Sequence, residues 1–177
     1  MPIIRQIAQL GQPVLRGAMN KVADPRASSV QAIVDDMLVT VSDANGVGLA
    51  APQVYEPLAL FILASRPTPR YINAPLMEPT VVINPELLWV SDEKENGWEG
   101  CLSIPGLRGL VPRHQRIGAR YLTGKNEVRE VEYADFLARV FQHEFDHIQG
   151  VLFIDRVEST MNLMTEKEYI RNQQNPA

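Results

Sequence analysis

The chain is poor in most of the residues that mark a specialised class. It has one cysteine, Cys101, in 177 residues, which excludes an intramolecular disulfide. A lone thiol fits a reducing compartment, where it serves as a buried apolar group, a metal ligand or a nucleophile. Basic residues are not in excess: 17 Lys and Arg stand against 21 Asp and Glu, for a net charge of −4. That leaves no electrostatic footprint for nucleic acid. No run approaches the ~18 uninterrupted apolar residues of a membrane span. The start of the chain, Met1-Pro2-Ile3-Ile4-Arg5-Gln6, lacks the charged segment and long apolar core of a signal peptide, and it is not an Arg/Ser-rich leader. Internal repeats and low-complexity tracts are also missing. These absences predict a cytoplasmic, soluble, monomeric protein of bacterial type, with no membrane or nucleic-acid partner.

What is present is ordinary globular material, 45% hydrophobic and 21% charged. The length predicts one catalytic domain over residues 1–177. In residues 28–43, Val30, Ile33, Val34, Met37, Leu38 and Val41 recur at helical spacing. Ser28 or Ser29 is expected to cap that helix, and Asn45-Gly46 to end it. A glycine-containing turn is expected over 46–53, then a strand from Leu58 to Leu63. Four prolines (67, 69, 75 and 79) predict a long surface loop over 64–79, bordering the cleft. Strands are expected at 80–84 and 87–91, and a hairpin joins 117–123 to 128–133 around Gly124-Lys125-Asn126. The period then becomes helical from Phe136 to Ile148, with Asp135 as N-cap and Gly150 as the stop. A short helix is expected over 159–171, with Met161, Met164 and Tyr169 partly buried. Helices and strands are segregated, which predicts an α+β fold with mixed or antiparallel sheets around a central helix.

The central helix carries His143-Glu144-Phe145-Asp146-His147. Histidines at i and i+4 stack on one helical face, where both can reach one metal ion. Glu144 is placed to approach a metal-bound water without ligating. A catalytic site usually needs a third protein ligand, and Cys101 supplies it. It lies in Glu99-Gly100-Cys101-Leu102-Ser103-Ile104-Pro105-Gly106, where two glycines and a proline suggest a built loop. A thiolate with two imidazoles suits Zn²⁺ or Fe²⁺ better than Mg²⁺ or Ca²⁺. His114 has no partner at ligand spacing and reads as a surface or loop residue. Asp146 and Glu99 can orient the ligand imidazoles, and Asp146 can equally pair with an arginine. Arg108 can meet a peptide backbone or, as the preferred reading, a structural carboxylate.

Three segments together resemble the peptide deformylases: Gly46-Val47-Gly48-Leu49-Ala50-Ala51-Pro52-Gln53 matches GxGLAAxQ, Glu99 to Ser103 reads EGCLS, and His143 to His147 reads HExDH. The resemblance implies a hydrolase that removes the formyl group from N-formyl-methionyl nascent polypeptides. It implies that Cys101, His143 and His147 hold one divalent metal, Fe²⁺ in the cell, with Zn²⁺, Ni²⁺ or Co²⁺ able to substitute. It makes Glu144 the general acid/base, and it makes Gln53 and the backbone N–H of Leu102 the donors to the oxyanion. Gly48 then lines the substrate cleft, and Gly46, Val47, Ile104, Pro105 and Phe141 are further candidate walls for the methionine side chain. Some relatives contact the ribosome transiently through a basic C-terminal helix. Residues 158–177 depart from that pattern, with Glu158, Glu166 and Glu168 against Lys167 and Arg171.

Two rival readings remain to be tested. HExxH is also the motif of zincin-type proteases, for which Glu166 or Glu168 would be the third ligand. That reading leaves the other two segments unexplained. A structural metal site normally closes four protein ligands, and only three are found.

Overall fold

The computed structural model describes residues 1–174. Helix α1 spans Ser28–Asp43 and buries Val34, Met37, Thr40 and Val41. Its apolar stripe packs on Leu49, Leu60, Ile62 and Ile83. Asn45, at φ +52°, turns the chain out of the helix. Neither serine caps it: Ala27 is the flanking residue, and Ser28 already lies in the first turn.

The remaining elements are β1 (Gly48–Ala50), β2 (Leu60–Leu63), β3 (Thr80–Val90), β4 (Lys94–Cys101), β5 (Ile104–His114), β6 (Arg116–Leu122), β7 (Val128–Ala134), α2 (Asp135–Ile148), β8 (Leu163–Thr165) and α3 (Glu166–Gln174). Strands β1-β2-β3-β6-β7 form one sheet and β4-β5-β8 a second. Every strand pairing is antiparallel. Helix α2 contacts β1, β2, β6 and β7 of the larger sheet and β5 of the smaller, so the fold is α+β as expected. Its apolar side carries Phe141, whose ring meets Phe61 edge-on with centroids 5.1 Å apart. A helix wedged between two sheets is braced on both flanks, which suits an element that must hold side chains in register.

Several expectations are corrected. Segments 80–84 and 87–91 are one strand. Asn84-Pro85 reads as a break, and the register does shift between Ile83 and Glu86. However, Asn84, at φ +49°, is fixed by side-chain hydrogen bonds to the backbone N–H and C=O of Val22, so pairing resumes beyond it. The loop around Cys101 is the tip of a long hairpin in which β4 and β5 pair from Lys94↔His114 to Cys101↔Ile104. Its first strand, rich in charge and glycine, shows no apolar alternation. The expected turn at 46–53 contains β1, followed by a 3₁₀ turn over Ala51–Val54. The C-terminal helix starts later than expected, at Glu166, after β8, and Met161 is 91% exposed. Asp135 opens α2 with a positive φ of 51° instead of capping it, whereas Gly150, at φ +71°, follows its end. Segment 64–79 contains none of the eight strands, yet Ala64, Ser65, Thr68 and Ala74 are buried.

Candidate active site

Helical geometry on α2 puts His143 and His147 side by side, with ring centroids 5.1 Å apart. Strand β4 ends at Cys101, so its thiol reaches the same point. The three ligand atoms lie within 4.8 Å of one another, and Cys101 Sγ is 3.2 Å from His147 Nε2. Cys101 is 3% exposed and His147 1%.

The ring of His143 is oriented from behind. Its Nδ1 is 2.9 Å from Glu99 Oε2 and donates there, which leaves Nε2 for the site. Glu99 in turn accepts from Arg113 Nε (2.9 Å) and Nη2 (3.0 Å), and from Arg139 Nη1 (3.0 Å). Arg113 Nη1 continues to Asp146 Oδ2 at 2.6 Å, and Arg156 Nη2 closes on Asp146 Oδ1 at 2.7 Å. Glu99 therefore orients an imidazole, and Asp146 serves the arginines instead. Burial works against the charge on Glu99, but the Arg113 guanidinium and the His143 hydrogen bond outweigh it and hold the carboxyl well below its usual range. Three arginines around two carboxylates keep this buried network paired, and paired is the only state in which buried charge is tolerable.

The Cys101 thiol is destabilised as a thiolate by burial, yet His147 and His143 overcome this and pull it well below its ordinary value. Further support comes from Ser103 N–H, 3.4 Å from the sulfur, and Gln53 Nε2, 3.5 Å away. Burial lowers His143, but Cys101 and Glu99 more than compensate and raise it well above its usual value. A thiolate facing a protonated imidazole is an arrangement in which a divalent cation can replace the proton. The donor set, one soft sulfur and two imidazoles, fits a late first-row metal. Glu144 Oε2 and His147 Nδ1 are buried without a hydrogen-bond partner among the described residues. The fit is good.

Glu144 is 4% exposed, and burial pushes its carboxyl up to about 7. Gly48 makes room for it, because a Cβ there would lie 2.9 Å from both Cγ and Cδ of Glu144. Gln53 is held by its own amide. Its Oε1 accepts from Ala50 N–H at 2.8 Å, and its Nε2 donates to Ser103 Oγ at 3.1 Å, beside the sulfur. Leu102 follows Cys101 at the hairpin tip. These residues surround a cavity of about 40 Å³ lined also by Gly46, Val47 and His143. That is space for a few waters or one small acyl group.

Three predicted walls are not among the residues that line this cavity. Phe141 is fully buried in the core between Phe61 and Tyr133. Ile104 is 5% exposed and packs behind the site, in the cluster that holds Cys101, Leu15, Val111 and Phe153. Pro105 is exposed on β5. In their place the cavity is lined by Phe136, Arg139 and Val140. These stand three to seven residues before His143 on the same helical face, a spacing that could have revealed them. Arg70 and Tyr71 line it too, from a proline-rich segment that carries no periodic signal. His114, at the end of β5, lies outside the ligand cluster and has its Nδ1 2.5 Å from Ser91 C=O. Glu166 and Glu168 also stand apart: Glu166 binds Arg108 at 2.8 Å, and Glu168 pairs with Arg171 at 3.0 Å. The protease reading thus loses its third ligand, and Arg108 has the carboxylate partner expected of it.

An antiparallel α+β fold whose central helix brings two histidines and a carboxylate to a buried cysteine has the build of a metal-dependent hydrolase. The sequence model of the polypeptide deformylase family matches residues 4–162, and the chain belongs to that family. Its members are hydrolases that remove the N-terminal formyl group from nascent formyl-Met peptides. The chain is 53% identical to peptide deformylase 2 of a Nostoc species over 168 residues, covering 95% of this chain and 94% of that one. Among solved structures it resembles a class I type b peptide deformylase of Acinetobacter baumannii bound to Met-Ala-Ser. That match has a TM-score of 0.86 and 40% identity, covering 89% of this chain and all of the other. A peptide deformylase of Synechococcus elongatus in complex with actinonin matches with a TM-score of 0.79 and 32% identity, over 92% of this chain and 85% of that one. No helix among the described residues is long and apolar enough to cross a membrane.

Proposed function

We propose that the chain hydrolyses the formyl amide of N-formyl-methionyl nascent polypeptides in the cytoplasm. Formate and a free α-amine are the products. Cys101, His143 and His147 hold one divalent ion, Fe²⁺ in the cell, with Zn²⁺, Ni²⁺ or Co²⁺ able to replace it. The observation that carries this reading is the position of Glu144, buried beside the three ligand side chains in a cavity of about 40 Å³. The bound ion supplies Lewis-acid polarisation and lowers the pKa of water toward ~7.

The protein's own groups do the rest. Glu144, whose Oε2 is buried without a hydrogen-bond partner among the described residues, accepts the proton of the attacking water. A carboxyl poised near neutrality, as its burial makes it, can later hand that proton to the departing amine. Gln53 Nε2 and the backbone N–H of Leu102 donate to the oxyanion, and losing one such donor typically costs ~10²–10³ in rate. Gly46, Val47 and Gly48 flank the peptide on the side facing Glu144. The cavity is small enough to favour formyl, the smallest acyl group, by steric exclusion.

The test is formate release from formyl-Met-Ala-Ser by protein loaded anaerobically with Fe²⁺, or in air with Ni²⁺, alongside Glu144→Ala. Release by the wild type, with a ~10²–10⁴-fold loss in the variant at unchanged metal content, is the expected result. Folded, metal-loaded wild type that releases no formate would overturn the reading.

A further inference from the structure

Beside the narrow cavity lies a second, wider one of about 540 Å³, and Arg70, Tyr71 and Phe136 line both. One wall is the segment around residues 69–74 and the other is α3. The family match ends at residue 162, before β8 and α3 begin, so this wall is added by a part of the chain outside the matched region.

The charge in this chamber is lopsided. Among the described residues its lining holds two cations, Arg70 and Arg108, and one anion, Glu166. One oxygen of that glutamate serves both, at 2.8 Å from Arg108 Nη2 and 3.3 Å from Arg70 Nε. Arg108 is 1% exposed, and its Nε and Nη1 have no hydrogen-bond partner among the described residues. Its guanidinium is instead held between two aromatic rings, 4.9 Å from the centroids of Tyr71 and Tyr169. Stacking holds the cation in place without using its N–H groups. Arg70, 19% exposed, leans over Gly100 of β4, where a Cβ would come within 2.8 Å of its Nη2. A buried guanidinium with spare donors, next to a second cation and one shared carboxylate, has the charge pattern of an anion site that an internal anion half fills.

We propose that this chamber reads the peptide beyond its formyl-methionine, and that Arg70 and Arg108 favour a carboxylate at one downstream position in competition with Glu166. The inference rests on the deformylase reading for its substrate. Tyr71 and Phe136, whose rings meet edge-on with centroids 5.5 Å apart, stand between the chamber and the cavity that takes the formyl group, and the residues after methionine are placed on the chamber side of that pair. A carboxylate there adds to the trio the negative charge that Glu166 alone does not supply. A sulfate-like or C-terminal carboxylate group would be recognised by the same donors.

The experiment compares formyl-Met peptides amidated at the C-terminus, each with Asp or Asn at the second, third or fourth position. A free-acid formyl-Met-Ala-Ser peptide, beside its C-terminal amide, serves as the arm for the terminal carboxylate. The readout is the Asp/Asn ratio of kcat/KM in the wild type, Glu166→Gln, Arg70→Gln and Arg70→Lys. The expected ratio at one position is about two- to fivefold in the wild type, the scale of a partly exposed ion pair. It rises in Glu166→Gln, where the internal competitor is neutral, falls to about one in Arg70→Gln and returns in Arg70→Lys. A rise on removing Glu166 cannot come from general damage to the fold. A ratio of about one at every position in both wild type and Glu166→Gln, with the Asn peptides still deformylated, would overturn the proposal and leave the deformylase reading intact. If no peptide is deformylated, that reading fails. Calorimetric binding of the deformylated Asp and Asn peptides to the wild type and Glu166→Gln then decides the chamber separately, with equal affinities overturning it.

Discussion

The two adjoining cavities differ in almost every physical respect. The narrow one, about 40 Å³, is bounded by α2, β1 and the β4–β5 hairpin tip, and its His143 and Gln53 are each held by a second group behind them. The wide one, about 540 Å³, is bounded by a proline-rich segment and a nine-residue helix, and its central arginine has donors to spare. The first is built for chemistry that tolerates little displacement, since misplacing a reacting group by 1 Å can cost ~10² in rate. The second is built for discrimination, where a few-fold difference suffices. Changes in the narrow cavity should therefore slow every peptide alike, whereas changes in the wide one should alter the order of preference among peptides.

The largest break in this contrast should come from Cys101→Ala. It removes the thiolate and is expected to abolish both metal retention, read by elemental analysis, and deformylation of every substrate. Gly48→Ala should come next. Its Cβ would overlap the Glu144 side chain and displace the carboxylate, so that kcat falls by roughly 10²-fold while bound metal stays stoichiometric. Metal loss in that variant would show that Gly48 serves the fold rather than Glu144. Glu99→Gln weakens the hydrogen bond that orients His143 and leaves Arg113 and Arg139 short of one charge. Metal affinity, measured by chelator competition, is expected to drop ~10–100-fold, with a smaller effect on kcat at saturating metal.

The smallest effect concerns pH and the wide chamber. Burial raises the Glu166 carboxyl, but Arg108 and Arg70 outweigh it, so the folded value lies below the ordinary one. Its contribution to stability is present above the unfolded pKa and lost as pH falls through the folded value. Hydrogen exchange in α3 should therefore rise as pH is lowered below the usual carboxylate range, after correction for the intrinsic rate. α2 should stay protected to lower pH than α3. Simultaneous opening of both helices would show that α3 is not held by this contact.

The helices and the β4–β5 hairpin differ also in how far they were legible. α1 was readable in its extent, though not in its cap, because its six apolar positions repeat at the period of the helix itself. α2 was readable for the same reason, and with it the convergence of His143, Glu144 and His147. The β4–β5 hairpin was not, because Lys94 to Gly100 satisfies its backbone by pairing with β5 and needs no apolar alternation to do so. Phe141, Ile104 and Pro105 were placed at the cleft by nearness in sequence to site residues. Nearness in sequence says little about facing: a helix turns Phe141 away from His143, and Ile104, paired with Cys101 at the hairpin tip, turns its side chain into the core while Pro105 faces solvent.

Sequence alone determined which side chains could do the chemistry, since the i, i+4 histidines, their adjacent glutamate and the lone cysteine owe their meaning to local geometry and donor chemistry. Tertiary structure decided everything that depends on partners distant along the chain. It assigned Glu99 to His143 and Asp146 to Arg113, two choices open in the sequence. It also set the cavity width and brought Arg108, Arg70 and Glu166 together from three separate elements. The reason is physical: a helix repeats through contacts four residues apart, whereas a buried charge finds its partner only where the folded chain places one.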